Sequence, residues 1–371
     1  MRIVRTDEQE ALTGIVRDLV ATTSPPERVA ELADGGAPRD DAMWARLRDE
    51  LGVTGLLVPE RFGGAGATWR EVAAVAGELG RALVCVPFVT SSVIATTAVL
   101  ATGDDEVAAD LLPGVADGSL VLTVAAADIE GTLTADGIRV RAREDDGGWR
   151  LDGEVAYVAD GTVADRLLVL TVAPAGPSWF VVDPADASVA VHPMTVLDPT
   201  RPLATVTLEG AIGRPLGEVG AGWAVAEVVI DAATVALAAE QVAAAEHLLD
   251  LTVAYAKDRI QFGQPIGSFQ AIQHALADLT LRVDEARSAL ELAVWAASDA
   301  PDELREGAAI AGVVCAETLR TVATEAIQIH GGIGFTWEHV AHRYFRRAHG
   351  SSVAFGTPAL HRERLLAAIG V

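Results

Sequence analysis

Arg259-Ile260-Gln261-Phe262-Gly263-Gln264-Pro265-Ile266-Gly267-Ser268-Phe269-Gln270 interrupts an otherwise helical C-terminal half. Two glycines and a proline in so short a span stop a helix. Upstream, residues 223–257 contain no Gly or Pro and are rich in Ala, Leu, Val and Glu. At about 1.5 Å per residue they predict a helix about 50 Å long. Downstream, helical texture is predicted over 269–298, 302–330 and 338–348. A second break, Gln328-Ile329-His330-Gly331-Gly332-Ile333-Gly334-Phe335, falls between two of these helices. Either break can be a plain connection. The first also sets Arg259 at a helix end beside an aromatic, where a guanidinium can pair with a diphosphate through two parallel hydrogen bonds. In the second, Gly331 and Gly332 let backbone approach a ligand with no Cβ in the way. The residues alone leave both readings open, a nucleotide cofactor or simple turns.

Long apolar helices need one another, so residues 214–371 are read as a four-helix-bundle domain. Residues 119–213 have a different texture. Leu120–Val124, Arg166–Val172, Trp179–Val182 and Ala204–Leu208 are short β-rich runs, separated by turns such as Asp145-Asp146-Gly147-Gly148. Short strands at this spacing with no helices between them predict a β-barrel or sandwich and argue against a doubly wound sheet. Residues 1–118 are again helical. Trp44, Leu47 and Leu51 recur as one helix face requires, and Thr68 with Glu71 forms a capping box for a helix running to about Leu83. The fold class is therefore α+β: a helical domain, a β-domain, then a bundle.

With 28 Lys+Arg against 52 Asp+Glu the net charge is −24. Phosphate polyanions and anionic lipid surfaces are repelled, which argues against nucleic acid and membrane partners. Residues 82–103 are uncharged and long enough to span a bilayer, but Pro87 and several Ser and Thr residues favour a buried core helix. Met1–Asp7 lacks an apolar signal region, so a cytoplasmic protein is expected. Cys85 and Cys315 have neither metal-site nor disulfide-framework spacing, and His339 with His342 has no further ligand set. Phosphate-loop, dinucleotide, GxSxG and HExxH patterns are missing too, so no metal is expected.

The α–β–α order and the two breaks resemble the acyl-CoA dehydrogenase family over essentially the whole chain. The resemblance rests on Arg259-x-x-Phe262-Gly263-x-Pro265-Ile266-x-x-Phe269-Gln270, and on Gln328-x-x-Gly331-Gly332-x-Gly334 followed by Arg343-x-x-Arg346. Near the start it is joined by Leu51–Leu56, Pro59-Glu60, Gly63–Gly66 and Glu78-Leu79-Gly80-Arg81. It implies a flavoprotein that binds FAD across a subunit interface and desaturates acyl-CoA thioesters between Cα and Cβ, as in β-oxidation. A carboxylate removes the α-proton and the β-hydride goes to the flavin. It also implies that Arg259, Gln261, Phe262, Gln328, Gly331 and Gly332 embrace the ADP half of FAD. Thr123, Tyr157 and Thr357 are further cofactor-binding candidates on the same ground.

The departures from the family pattern concern the reaction centre. Ala354-Phe355-Gly356-Thr357 has Phe355 where many members place the catalytic Glu before Gly-Thr. Other members place it 26 residues before the motif Arg, and 259 − 26 = 233 is Ala233. Thr123–Glu130 lacks the usual flavin-contacting pattern, and Tyr157-Val158-Ala159 has Ala in place of a Thr hydroxyl. ADP-half features survive while isoalloxazine-half features do not. Such a pattern resembles the non-catalytic subunit of α2β2 heterotetrameric acyl-CoA dehydrogenases, which often act on steroid side chains or other bulky acids. One alternative is a homo-oligomeric dehydrogenase with a relocated base, Glu240 or Asp231, although either carboxylate is more readily structural. A flavin-free scaffold or CoA-ester binding protein, and an oxidase or monooxygenase of related fold, complete the set.

Overall fold

The computed structural model describes residues 6–127, 133–145 and 147–371. In chain order the helices are α1 (Asp7–Thr23), α2 (Pro26–Gly35), α3 (Asp41–Asp49) and α4 (Trp69–Arg81), then, after a π-helical stretch Phe88–Ala95, α5 (Thr96–Ala101) and α6 (Asp105–Ala116). Strands follow: β1 (Leu122–Ala125), β2 (Arg141–Asp145), β3 (Gly148–Ala159), β4 (Arg166–Ala173), β5 (Gly176–Val182), β6 (Val189–Pro193) and β7 (Leu203–Leu216). The C-terminal part holds α7 (Gly222–Asp258), the short strands β8 (Ile260–Gln261) and β9 (Gln264–Pro265), α8 (Gln270–Asp299), α9 (Leu304–His330), α10 (Ala341–Ser351) and α11 (Pro358–Ala368).

The chain parts into two compact units. One comprises Met1–Val29, Ala73–Val84 and Thr234–Val371, the other Ala30–Val72 and Cys85–Ala233. The first is built on the long helices. Leu248, Leu279, Val283, Leu319, Val322, Ala326 and Tyr344 form its core. Gly80 on α4 permits close helix contact, because a Cβ there would fall 2.5 Å from Glu240 Cα on α7. Arg17 and Arg81 both donate to the buried Glu78 carboxylate, at 2.6 and 2.7 Å, and hold it below the usual Glu range against the upward push of burial. Helix α7 is long and apolar enough to cross a membrane, but 78% of its most apolar window is buried inside the protein, as in a core helix.

In the second unit β4-β2-β3-β7-β5 run as neighbours and β5 returns to pair with β4, so the sheet closes into a barrel. β1 and β6 attach outside this ring, and the pairings of β4 with β1 and with β2 are parallel. Leu151, Leu167, Val169, Phe180, Val182, Val206 and Leu208 fill the interior. Closure leaves the five ring strands without a free edge among themselves.

The expected elements return with some corrections. Thr68 caps α4 with Glu71, whose carboxylate accepts from the Thr68 amide at 2.9 Å, but α4 stops at Arg81. Leu51 lies beyond α3, so only Trp44 and Leu47 of that predicted face belong to the helix. The 82–103 stretch is not one helix: helical structure begins only after Pro87, whose ring cannot sit inside a preceding helix. Helix α10 starts at Ala341 rather than 338. Strands β2, β3 and β6 were not anticipated. Asp146 of the predicted turn and Met1–Arg5 of the N-terminus lie outside the described residues.

Candidate flavin site

Both glycine-bearing breaks lie in the first unit, and one side-chain pair ties them together. Tyr255, one turn before Arg259 on α7, stacks on His330 at the end of α9 with ring centroids 4.4 Å apart. Its hydroxyl donates to the His330 carbonyl at 3.3 Å. The His339 ring follows at 4.3 Å from His330. Burial holds both imidazoles below their ordinary pKa, and each further depends on its neighbour: the Ala326 carbonyl partly offsets the shift of His330, and His330 adds to that of His339. Neither Tyr255 nor His330 is a site candidate on sequence grounds, although His330 stands within the second break. Their spacing, four residues before Arg259 and two after Gln328, is the signal that places them at the two helix ends.

Strands β8 and β9 make a hairpin whose two loop residues, Phe262 and Gly263, have φ of 53° and 82°. Two positive φ values are the signature of a tight hairpin turn whose twist matches its strands. An aromatic seldom occupies such a backbone. Phe262 is 93% exposed and sets its ring edge-on to Phe269, centroids 6.2 Å apart. Arg259 and Gln261 are exposed beside it, the Arg259 amide bonding Tyr255 and its carbonyl accepting from Ile266. At the other break Gly331 ends α9 with φ 63°, and a Cβ on Gly331 or Gly332 would meet open space. Gln328 is exposed. Phe335 and Trp337 are also exposed, Arg346 lying over the Trp337 ring at 4.5 Å. An exposed guanidinium, amides, an aromatic and Cβ-free backbone fit the diphosphate and adenosine of a dinucleotide cofactor.

The two positions at which the resemblance leads one to expect a base are apolar. Ala233 is fully buried on α7. Phe355 sits in the turn before α11 with φ 56°, and Thr357 caps that helix by accepting from the Leu360 amide at 3.2 Å. Glu240 is 6% exposed and ion-paired with Arg347, Oε2 to Nη1 3.8 Å, while its neighbour Gln241 donates to Ser351 Oγ at 3.2 Å. Glu240 shares a helix face with Ala233 but stands about 10 Å further along, and Asp231, also buried, faces about 160° away from Ala233.

In the second unit Thr123 Oγ1 donates to the Ala159 carbonyl at 2.6 Å, so its proton is committed within the chain. Tyr157 lies at a register shift in β3, with φ 56°, and is partly exposed. Asp160, three residues further on and also at positive φ (55°), accepts from Thr90 Oγ1 at 2.6 Å. Ala159 offers no hydroxyl. Asp128, Ile129 and Glu130 lie outside the described residues.

The fold occurs in known proteins. The acyl-CoA dehydrogenase N-terminal domain family matches residues 6–119, and the acyl-CoA dehydrogenase C-terminal domain family matches residues 220–370. Acyl-CoA dehydrogenase IpdE2 of Mycolicibacterium smegmatis is 34% identical over 98% of this chain and 99% of its own length. The chain belongs to the acyl-CoA dehydrogenase family. Members of this family are FAD-dependent oxidoreductases acting on acyl-CoA. Two solved relatives are assemblies of unlike chains. The ChsE4-ChsE5 complex from Mycobacterium tuberculosis superposes with a TM-score of 0.90 at 30% identity, covering 100% of this chain and 99% of that one. A variant of the Tcur3481-Tcur3483 steroid ACAD gives 0.88 at 32% identity, covering 98% of each chain.

Burial pushes His361 of this acyl-CoA dehydrogenase down to about 4. An unfolded His titrates near 6.5, so between these values the unfolded chain binds a proton that the folded one refuses. The contribution is fully present above about pH 6.5 and is lost as pH falls toward 4. We expect about 2 kcal/mol to disappear between pH 7 and 5 from this group. Urea unfolding of His361→Gln should show a correspondingly flatter pH profile; an unchanged profile would exclude His361 as its source.

Proposed function

We propose that this chain is the non-catalytic subunit of a heteromeric, α2β2 acyl-CoA dehydrogenase. It supports FAD-dependent α,β-desaturation of an acyl-CoA thioester while a second acyl-CoA dehydrogenase-like subunit supplies the catalytic Glu. The observation that carries this reading is the contrast inside one chain. Arg259, Phe262, Gln328, Gly331 and Gly332 are all exposed, while positions 233 and 355 hold Ala and Phe. A general base must reach the proton that it removes. Neither alternative does: Glu240 is tied to Arg347, and Asp231 faces elsewhere on α7. Bound FAD supplies the hydride acceptor; this chain's residues hold its ADP half against a neighbouring subunit. The relative named as a steroid ACAD favours a bulky acyl group and a place in lipid or steroid catabolism. The division at 118 and 213 into helical, β and bundle domains belongs to the same reading.

Flavin quantitation tests it. The chain purified alone should be colourless, and co-purification with its partner should bring FAD. Arg259→Ala should weaken FAD retention in the assembled oligomer on the order of 30-fold or more, the consequence of losing a charge-assisted pair across a buried interface. Arg259→Lys should recover part of it, because a point charge cannot reproduce the two parallel bonds. Unchanged flavin content in Arg259→Ala would remove Arg259 from the site.

A further inference from the structure

Tyr255 joins the two breaks, through its backbone on one side and its side chain on the other. Its carbonyl accepts from the Arg259 amide at 2.8 Å, and the Arg259 carbonyl accepts from the Ile266 amide at 2.8 Å. The backbone of Arg259 is therefore held between α7 and the segment after β9. The Tyr255 ring lies nearly parallel to that of His330, 28° apart at a centroid distance of 4.4 Å. Its hydroxyl reaches the carbonyl directly before Gly331 at 3.3 Å. The amide of the same peptide group, on Gly331, donates to the Gln328 and Ile327 carbonyls. The peptide that enters the glycine pair is thus bonded at both its oxygen and its nitrogen. Gly331 leaves it with φ 63° and ψ −141°, a backbone that residues with a Cβ rarely adopt.

Hydrogen bonds also fix how the His330 ring is presented to Tyr255. Its Nδ1 lies 2.7 Å from the Ala326 carbonyl. A carbonyl only accepts, so the neutral ring carries its proton on Nδ1. His339 has the opposite arrangement: its Nδ1 accepts from the Ala341 amide at 3.2 Å, which leaves the proton on Nε2. With its centroid 4.3 Å from that of His339, the His330 ring meets one ring from α7 and one from the segment before α10. We propose that Tyr255 and His330 are positioning residues for the dinucleotide site: the ring stack and the hydroxyl bond set Arg259 relative to the Gly331–Gly332 turn, so that both breaks meet one cofactor molecule. The proposal rests on the reading of Arg259, Gly331 and Gly332 as the ADP-binding surface, and adds the residues that bring them together.

FAD retention in the assembled oligomer and histidine spectra of the chain alone test it together. Tyr255→Leu, which removes both ring and hydroxyl, should lower retention about tenfold, the weight of a lost aromatic pair. Tyr255→Phe keeps the ring and should stay within about threefold. His330→Gln keeps an N–H for the Ala326 carbonyl but has no ring, and should match Tyr255→Leu; it decides the matter if Tyr255→Leu does not assemble. Because Tyr255 acts through Arg259, the effects should not multiply: adding Tyr255→Leu to Arg259→Ala should lower retention by no more than about twofold further. A purely structural role would make the two losses independent. In the full chain labelled with 15N-histidine, His330 should show the Nδ1–H tautomer, assigned by its loss in His330→Gln. Retention unchanged in Tyr255→Leu or His330→Gln while Arg259→Ala weakens it, multiplying losses in the double variant, or an Nε2–H tautomer at His330 would overturn the proposal. Unchanged retention in Arg259→Ala would instead remove the ADP-binding reading on which it rests.

Discussion

Changing the partner's catalytic Glu to Gln is expected to lower turnover of the assembled enzyme by at least about 10²-fold, the usual contribution of a positioned general base. Gln keeps the size and hydrogen bonding of Glu but cannot take the α-proton, so the comparison isolates proton transfer. So large an effect is expected on the proposed reading, in which residues 233 and 355 take the two usual base positions: Ala and Phe there would leave this chain nothing to substitute for the lost group. The chain alone with added FAD should show no acyl-CoA dehydrogenation. Steady-state assays with an artificial electron acceptor would decide the matter. Turnover by the lone chain, stopped by Glu240→Gln or Asp231→Asn, would establish a relocated base instead.

Glu240→Gln should act on stability and leave chemistry alone. The carboxylate is buried against the buried Arg347 guanidinium at 3.8 Å, and its helix position is pressed onto Gly80. Removing one partner of a buried pair leaves the other charge in low dielectric, which costs about 3–5 kcal/mol in well-formed pairs. The separation here is long, so a loss of about 2–3 kcal/mol is expected in urea unfolding. Turnover per folded assembly should stay within a few-fold. Equal stability with collapsed activity would invert this assignment.

Legibility followed sequence separation. The long helices were readable because Ala, Leu and Glu without Gly or Pro over 223–257 act locally. Strand β4 was readable as an apolar run. Strand β2, Arg-Ala-Arg-Glu-Asp, has no such run and exists because β3 pairs with it across the barrel rim. The π-helical turn after Pro87 had no sequence signal, since its Thr and Ser hydroxyls bond Asp160 and the Leu122 amide far along the chain.

For the candidate site the division is similar. The sequence by itself determined that residues 233 and 355 cannot act as bases, because Ala and Phe carry no group that takes a proton whatever their surroundings. It also determined the two helix breaks, since Gly and Pro act on their own backbone. Tertiary structure alone decided that the breaks meet, through Tyr255 on His330; that Glu240 is an ion-pair member, through Arg347; and that His361 reaches Gly356 between α9 and α11. Backbone preference and residue chemistry are local and survive in a linear reading. Desolvation, ring stacking and close helix approach depend on which residues packing brings together, and only the folded chain specifies that.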